Sequence, residues 1–266
     1  MNTLSIAAAA VSFSAALVTV LLGGLFESRR RAADRAAEKR HRVNRYRDPL
    51  LQATASLHGR LANALGGIDF KLEDIPRHAR VADYDSLYRF ANYLGWVEIL
   101  FREVHFLDLG SRRANTRLIE RLGDMHGALN KPIADDQLFR LFAMEQRALG
   151  ELMMADPVEG EDRRRCIGYV EFCRRLDGDP EYRRWFQPLL DDIGTYLAHR
   201  GGPGQYRPGE LRLIMAHNAL LELMRVLDRR AIWNFVTKDH KLLPVEDAVE
   251  RHTRHHGRPP FGQAAG

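Results

Sequence analysis

Cysteine is scarce in this sequence: Cys166 and Cys173 are the only two. They stand seven apart in a segment whose periodicity predicts helix, which sets their Cα atoms roughly 10.5 Å apart at about 1.5 Å per residue. That distance excludes a disulfide between them. With no CxxC and no second cysteine group, a zinc or redox centre of the usual spacing is excluded as well, and both side chains read as small apolar residues of a reducing compartment. Other patterns are missing too. The glycine-rich GGPGQYRPGE (201–210) has no Walker lysine and lacks the spacing of a dinucleotide loop. HExxH, GxSxG and the ExxH pair of a di-iron bundle do not occur. No segment alternates apolar and polar residues as a half-buried strand does, and there is no repeat of fixed period. No cofactor is expected.

Charge is missing from one region altogether: residues 1–26 carry no charged side chain. The chain as a whole has a formal charge of +5 and a pI near 9.4, which invites a nucleic-acid reading until the charge is located. Residues 27–47 hold nine Arg and Lys against Glu27, Asp34 and Glu38. Residues 251–266 add Arg251, Arg254 and Arg258 with no acid, which leaves 48–250 at a formal −4. A mildly acidic body is a poor phosphate binder, so no nucleic-acid partner is expected.

The uncharged run from Leu4 to Phe26, LSIAAAAVSFSAALVTVLLGGLF, is long enough to cross a bilayer. As a helix its 23 residues measure roughly 34 Å against a hydrocarbon core of about 30 Å. A cleaved signal peptide needs basic residues before a shorter apolar core, whereas here they follow it. The basic residues after the span predict that residues 1–3 lie outside and that the body is cytoplasmic, on a single-pass protein of the inner membrane. Arg29, Arg30, Arg31 and Arg35 are also within reach of anionic headgroups, each worth about 1 kcal/mol. Ala32, Ala33, Ala36 and Ala37, with the pairs Glu27/Arg31 and Glu38/Arg42, predict a helical stalk over 27–47; a solvated helix with no lipid contact fits the same pattern. Within the span, Ala8, Ser12, Ala16 and Gly24 form a small-residue face on which two copies could associate.

The body, 48–243, reads as an all-α bundle with one large core. Asp48-Pro49 predicts a helix start and Gly66-Gly67 its end, with Leu50, Leu57, Leu61 and Leu65 on one face. From about Asp83 to Asp108, Leu87, Phe90, Leu94, Val97, Phe101 and Val104 alternate at three and four, with Tyr93, Leu100 and Leu107 on another face, as in a central buried helix. Further helices are predicted near 115–129, 135–154, 162–176, 180–198 and 209–229, with Pro188 kinking or splitting one of them. The GDP turn at 178–180 is short enough to make its helices neighbours. After Pro244 a short helix VEDAVERHTRHH is expected, and then a disordered tail, so that 244–266 forms a unit rich in His and Arg.

Several polar residues stand on apolar stripes. Glu98 lies between Leu94 and Phe101, His105 four past Phe101, Glu145 among Leu138, Leu141, Phe142, Leu149 and Leu152, and His217 among Leu213, Ile214, Leu220, Leu221 and Met224. Buried carboxylates and imidazoles are raw material for catalysis. They are equally the material of structural networks, and Arg102 and Arg147 are close enough in sequence to neutralise such a carboxylate. His252, His255 and His256 have the i,i+3 and i,i+4 spacing at which a helix presents two imidazoles to one metal; a mobile His/Arg tail gives the same string.

RYRDPLL (45–51), YLGWVEILFREVHFLD (93–108), EQRALGELM (145–153) and CIGYVEFC (166–173), in this order, resemble a group of bacterial proteins of no known activity that have an N-terminal span and a helical body. The resemblance implies that architecture and no chemistry. The expected function is a membrane-anchored cytoplasmic interaction or sensing module. The alternative is a membrane-tethered enzyme or small-ligand bundle in which Glu98, His105, Glu145 and His217 converge.

Overall fold

The computed structural model describes residues 30, 45–66, 79–103, 112–156, 164–199, 204–228, 235–236 and 240–261. Its contacts divide the chain into two units, Met1–Arg45 and Tyr46–Gly266. The expected span 4–26 and nearly all of the basic stretch lie outside the described residues; Arg30, within it, is helical and exposed. Among the described residues no helix is long and apolar enough to cross a membrane.

The second unit is all-α among its described residues, as expected. Helix α1 covers 46–65. It is followed by α2 (Ala79–Glu103), α3 (Arg112–Asn130), α4 (Ala143–Leu152), α5 (Tyr169–Gly178), α6 (Pro180–Ala198), α7 (Glu210–Leu227) and α8 (Val245–His256). Leu50, Leu57 and Leu61 of α1 are buried as their spacing requires, and Gly66 closes the helix by donating its N–H to Ala62 O. The start differs from expectation: 46 and 47 are already helical, and Asp48, instead of capping, takes the Arg47 guanidinium at 2.8 Å. The same dipeptide does begin α6, where the Asp179 carboxylate accepts from the N–H groups of Glu181 and Tyr182, and Pro180 occupies the first turn. Helix α6 then runs unbroken through Pro188, whose exposed position places the lost hydrogen bond on the solvent side.

Helix α2 is the central element, packed on α4, α5 and α6, with Leu87, Phe90, Tyr93, Leu94 and Ile99 buried. Its apolar stripe does not hold to the end, because Phe101 is 59% exposed. Helices α2 and α4 approach through glycine: a Cβ on Gly150 would stand 2.6 Å from Leu94 O, and one on Gly95 would meet Cys166 Sγ at 2.6 Å. Cys166 precedes α5 and pairs with Met154 in an isolated bridge, so the helical spacing expected between the two cysteines does not hold. Both are free thiols, and burial pushes Cys166 up to about 12.

The largest departure is at 135–142, expected as helix. Here Asp135 and Phe139 take φ of 58° and 59°, which breaks any helical run until Ala143. Side chains from other elements hold this connector. Asp192 accepts from Phe139 N at 2.8 Å, and the Phe139 ring stacks on Phe90. Asp136 caps the start of α7, its Oδ2 accepting from Gly209 N at 2.7 Å and from the Tyr206 hydroxyl at 3.0 Å. Arg212 of α7, fully buried, donates to the carbonyls of Leu138, Ala128, Leu129 and Lys131.

Arg212→Met keeps most of the volume and takes the donor from those four carbonyls, of which Leu129 O keeps a second one, the Leu141 N–H at 3.0 Å. We expect a loss of about 3 kcal/mol, since each unpaired buried acceptor costs about 1–3 kcal/mol. Denaturant unfolding measures it. Arg212→Lys recovers only part, because an ammonium cannot spread its donors over the end of a helix as a guanidinium does. A change below about 0.5 kcal/mol in the Met variant would leave the connector without its assigned anchor.

Candidate functional site

Of the residues expected to converge, Glu98, Glu145 and His217 are described, and each has its own partners. Glu98 is 2% exposed on α2, and both its oxygens are taken: Arg102 Nε donates at 2.6 Å, and Arg147 of α4 donates to both oxygens at 3.1 and 3.2 Å. Burial pushes the carboxyl up, but hydrogen bonds from Arg147 and Arg102 outweigh it and hold Glu98 below the usual range. A carboxylate fixed in its charged form is poorly suited to general acid–base work near neutral pH. Arg102 continues the network to Glu151 at 2.9 Å, so the group ties α2 to α4 beside the Gly150 contact.

Glu145 is exposed and accepts the Phe142 N–H at 2.7 Å, satisfying the first turn of α4 as the returning half of a capping box. His105 lies outside the described residues. His217 is buried on α7, away from the Glu98 network, and its neighbour is a residue that the sequence reading passed over. The imidazole of His58, 2% exposed on α1, stacks on it with centroids 4.2 Å apart and planes 29° apart. His240 approaches His58 at 5.3 Å. His58 follows Leu57 and precedes Leu61 by three, so its place on the buried stripe could have been read. His240, in a stretch without periodicity, gave no such signal.

Burial, then the neighbouring His217 and His240, push His58 down to about 3. His217 is lowered as well, by burial first, with the Asn218 hydrogen bond opposing. Both rings are neutral at pH 7, and His58 Nε2 has no hydrogen-bond partner. Asn218 turns its amide to the segment before α8, donating to Leu243 O and accepting from Leu243 N. Beyond it a groove of ≈ 630 Å³ runs between α3 and α7, with Arg121, Asp124, Lys131 and Glu222 on its walls.

The region expected as a disordered tail is packed as far as Phe261. His252 is fully buried, and its Nε2 lies 2.6 Å from Ala134 O. The Ala134 N–H in turn reaches Pro260 O at 2.8 Å, and Phe261 joins the apolar cluster of Ile133, Leu211, Ile214 and Ala248. Helix α8 forms over Val245–His256 as expected, with Val245 and Ala248 on its apolar face, and the departure is confined to 257–261, where Phe261 supplies an apolar anchor that the composition of GRPPFGQAAG did not suggest. Tyr206 gathers the three tail imidazoles: His255 stacks on it at 4.6 Å, and His252 and His256 meet it edge-on at 5.6 and 4.8 Å. Among the described residues no group of three or more His, Cys, Asp or Glu is placed to hold a metal ion.

The stacked pair makes stability depend on acid. His58 has a folded value far below the ordinary 6.5, so unfolding takes up a proton between them; its contribution is complete above pH 6.5 and is lost as pH falls toward 3. Each proton taken up costs about 1.4 kcal/mol per pH unit. Thermal unfolding measured from pH 7 to 5, above the carboxylate range, should show this slope in the full chain and a shallower one in His58→Phe. Identical slopes would refute the assignment. Comparison with protein-family models, with curated proteins and with solved structures finds no match for this chain.

Proposed function

We propose a single-pass membrane-anchored protein whose helical body is an interaction or sensing module on the cytoplasmic side. The observation that carries this reading is the charge step at residues 26–29: 23 uncharged, mostly apolar residues, then nine basic residues against three acids. Two features of the body support a role other than catalysis. Glu98 is held as a charged structural tie by two arginines, and Glu145 spends its carboxylate on a helix start. The rival reading needs Glu98, His105, Glu145 and His217 together; the three that are described each serve a different structural contact. The resemblance in RYRDPLL and the segments after it is of the same architectural kind and adds no chemistry.

A reporter joined after Gly266 tests the orientation. A cytoplasm-dependent reporter should be active there and an export-dependent one silent. The opposite result would reverse the topology and remove the reducing-compartment argument with it.

The same reading gives Arg29, Arg30, Arg31 and Arg35 a place at anionic headgroups. A chain lacking 1–26 should bind anionic vesicles, bind neutral ones little, and release as salt shortens the Debye length from about 10 Å at 0.1 M to about 3 Å at 1 M. Changing the four arginines to Gln keeps helix propensity and should remove most of the binding. Equal binding by both forms would leave the arginines a topological role alone.

A further inference from the structure

We propose that His252 and His256 form a two-nitrogen site for one borderline divalent transition ion, of the Zn²⁺, Ni²⁺ or Cu²⁺ class. The inference goes beyond the membrane reading and does not depend on it. The two residues are one turn apart on α8 and so share a face, with ring centroids 4.5 Å apart and planes inclined at 42°.

Their nitrogens are not equivalent. A carbonyl can only accept, so the 2.6 Å contact between His252 Nε2 and Ala134 O places the hydrogen on Nε2 and leaves a lone pair on Nδ1. That Nδ1 is buried and has no hydrogen-bond partner, and the same is true of His256 Nε2. One ring nitrogen donating to a carbonyl while the other stays open is the arrangement that fixes the tautomer of a metal-ligating histidine.

The surroundings hold the rings in place. Tyr206 packs edge-on against both imidazoles, and its own hydroxyl is pinned on Asp136 at 3.0 Å. Burial, then His252 and His255, push His256 down, with the carboxylates of Asp135 and Asp136 opposing, so the ring is kept as the neutral imidazole that a metal needs. Imidazole nitrogen selects zinc, nickel and copper over magnesium and calcium. With two protein nitrogens the remaining positions fall to water, so the ion is exchangeable rather than structural. His255 is excluded as a ligand here, because its exposed ring lies flat on Tyr206 at 4.6 Å and 19°.

The test uses the full chain in detergent micelles, purified without a polyhistidine tag and titrated calorimetrically with Ni²⁺, Cu²⁺ and Zn²⁺. One equivalent is expected to bind. His256→Gln should weaken binding about tenfold or more, while His255→Gln leaves it unchanged. His252→Gln should match His256→Gln; because His252 is fully buried, the half-buried His256 carries the result if the His252 variant loses cooperative unfolding. No saturable binding by about 1 mM, unchanged binding in His256→Gln, or an equal loss in His255→Gln would each overturn the site.

Discussion

The second unit depends on one buried cation, Arg212. Helix α3 ends without a basic residue in its last turn, so its terminal carbonyls and the negative end of its dipole need a partner from elsewhere. Arg212 supplies it across the α3–α7 interface, and the same guanidinium reaches Leu138 O in the connector. Burial pulls Arg212 down to about 10, with Asp136 and Asp192 acting against that shift, so it stays charged at neutral pH. Burying a charge is costly unless hydrogen bonds offset it; here Nε and Nη1 reach four backbone carbonyls while Nη2 has no partner among the described residues. One side chain thus settles two debts of the backbone, and the connector it fixes is the surface on which α8 sits through Ala134, Asp135 and Pro260.

A second constraint is steric. At Gly150 the backbones of α2 and α4 approach to where a methyl group would overlap Leu94 O, and at Gly95 it would overlap the Cys166 and Met153 side chains. That approach brings Arg147 onto Glu98, which already holds Arg102 from its own helix. Two cations on one buried carboxylate satisfy it fully, while the arginines remain partly in water where desolvation costs them little. The residue that most resembled a catalytic acid in the sequence is therefore a fastener between two helices.

What the sequence disclosed follows the reach of each signal. Helical patterning found α3, α6 and α7 to within a few residues: α3 and α6 bury one face, and α7, apolar over most of its length, is buried nearly all round. The pattern failed at 135–142, where Leu138, Leu141 and Phe142 keep helical spacing while Asp135 and Phe139 take positive φ in a connector held by Asp192 and Arg212 from over fifty residues away. It failed again at Asp48-Pro49, since a cap is defined by the chain before it and the dipeptide alone is compatible with both outcomes. Glu98 with its two arginines was within reach because Arg102 is four residues on. The His58 contact was half legible from the Leu57 and Leu61 stripe, and its partner on α7 was not, because pairing between α1 and α7 leaves no trace in either local pattern.

The two imidazole groups show why residue type says little until the surrounding charges are known. Around His58 the acting charges are other imidazoles, so protonation there adds repulsion to desolvation, and the group stays a neutral part of the α1–α7 contact. Around His256 the like-charge effect of His252 and His255 is opposed by two carboxylates. Positive charge is resisted from every side in the first case, whereas in the second it has counter-charge waiting. Helix α8 is also tied to its surroundings by ion pairs, Arg251 to Glu210 at 3.1 Å and Arg258 to Asp135, whereas the groups that act on His58 are imidazoles.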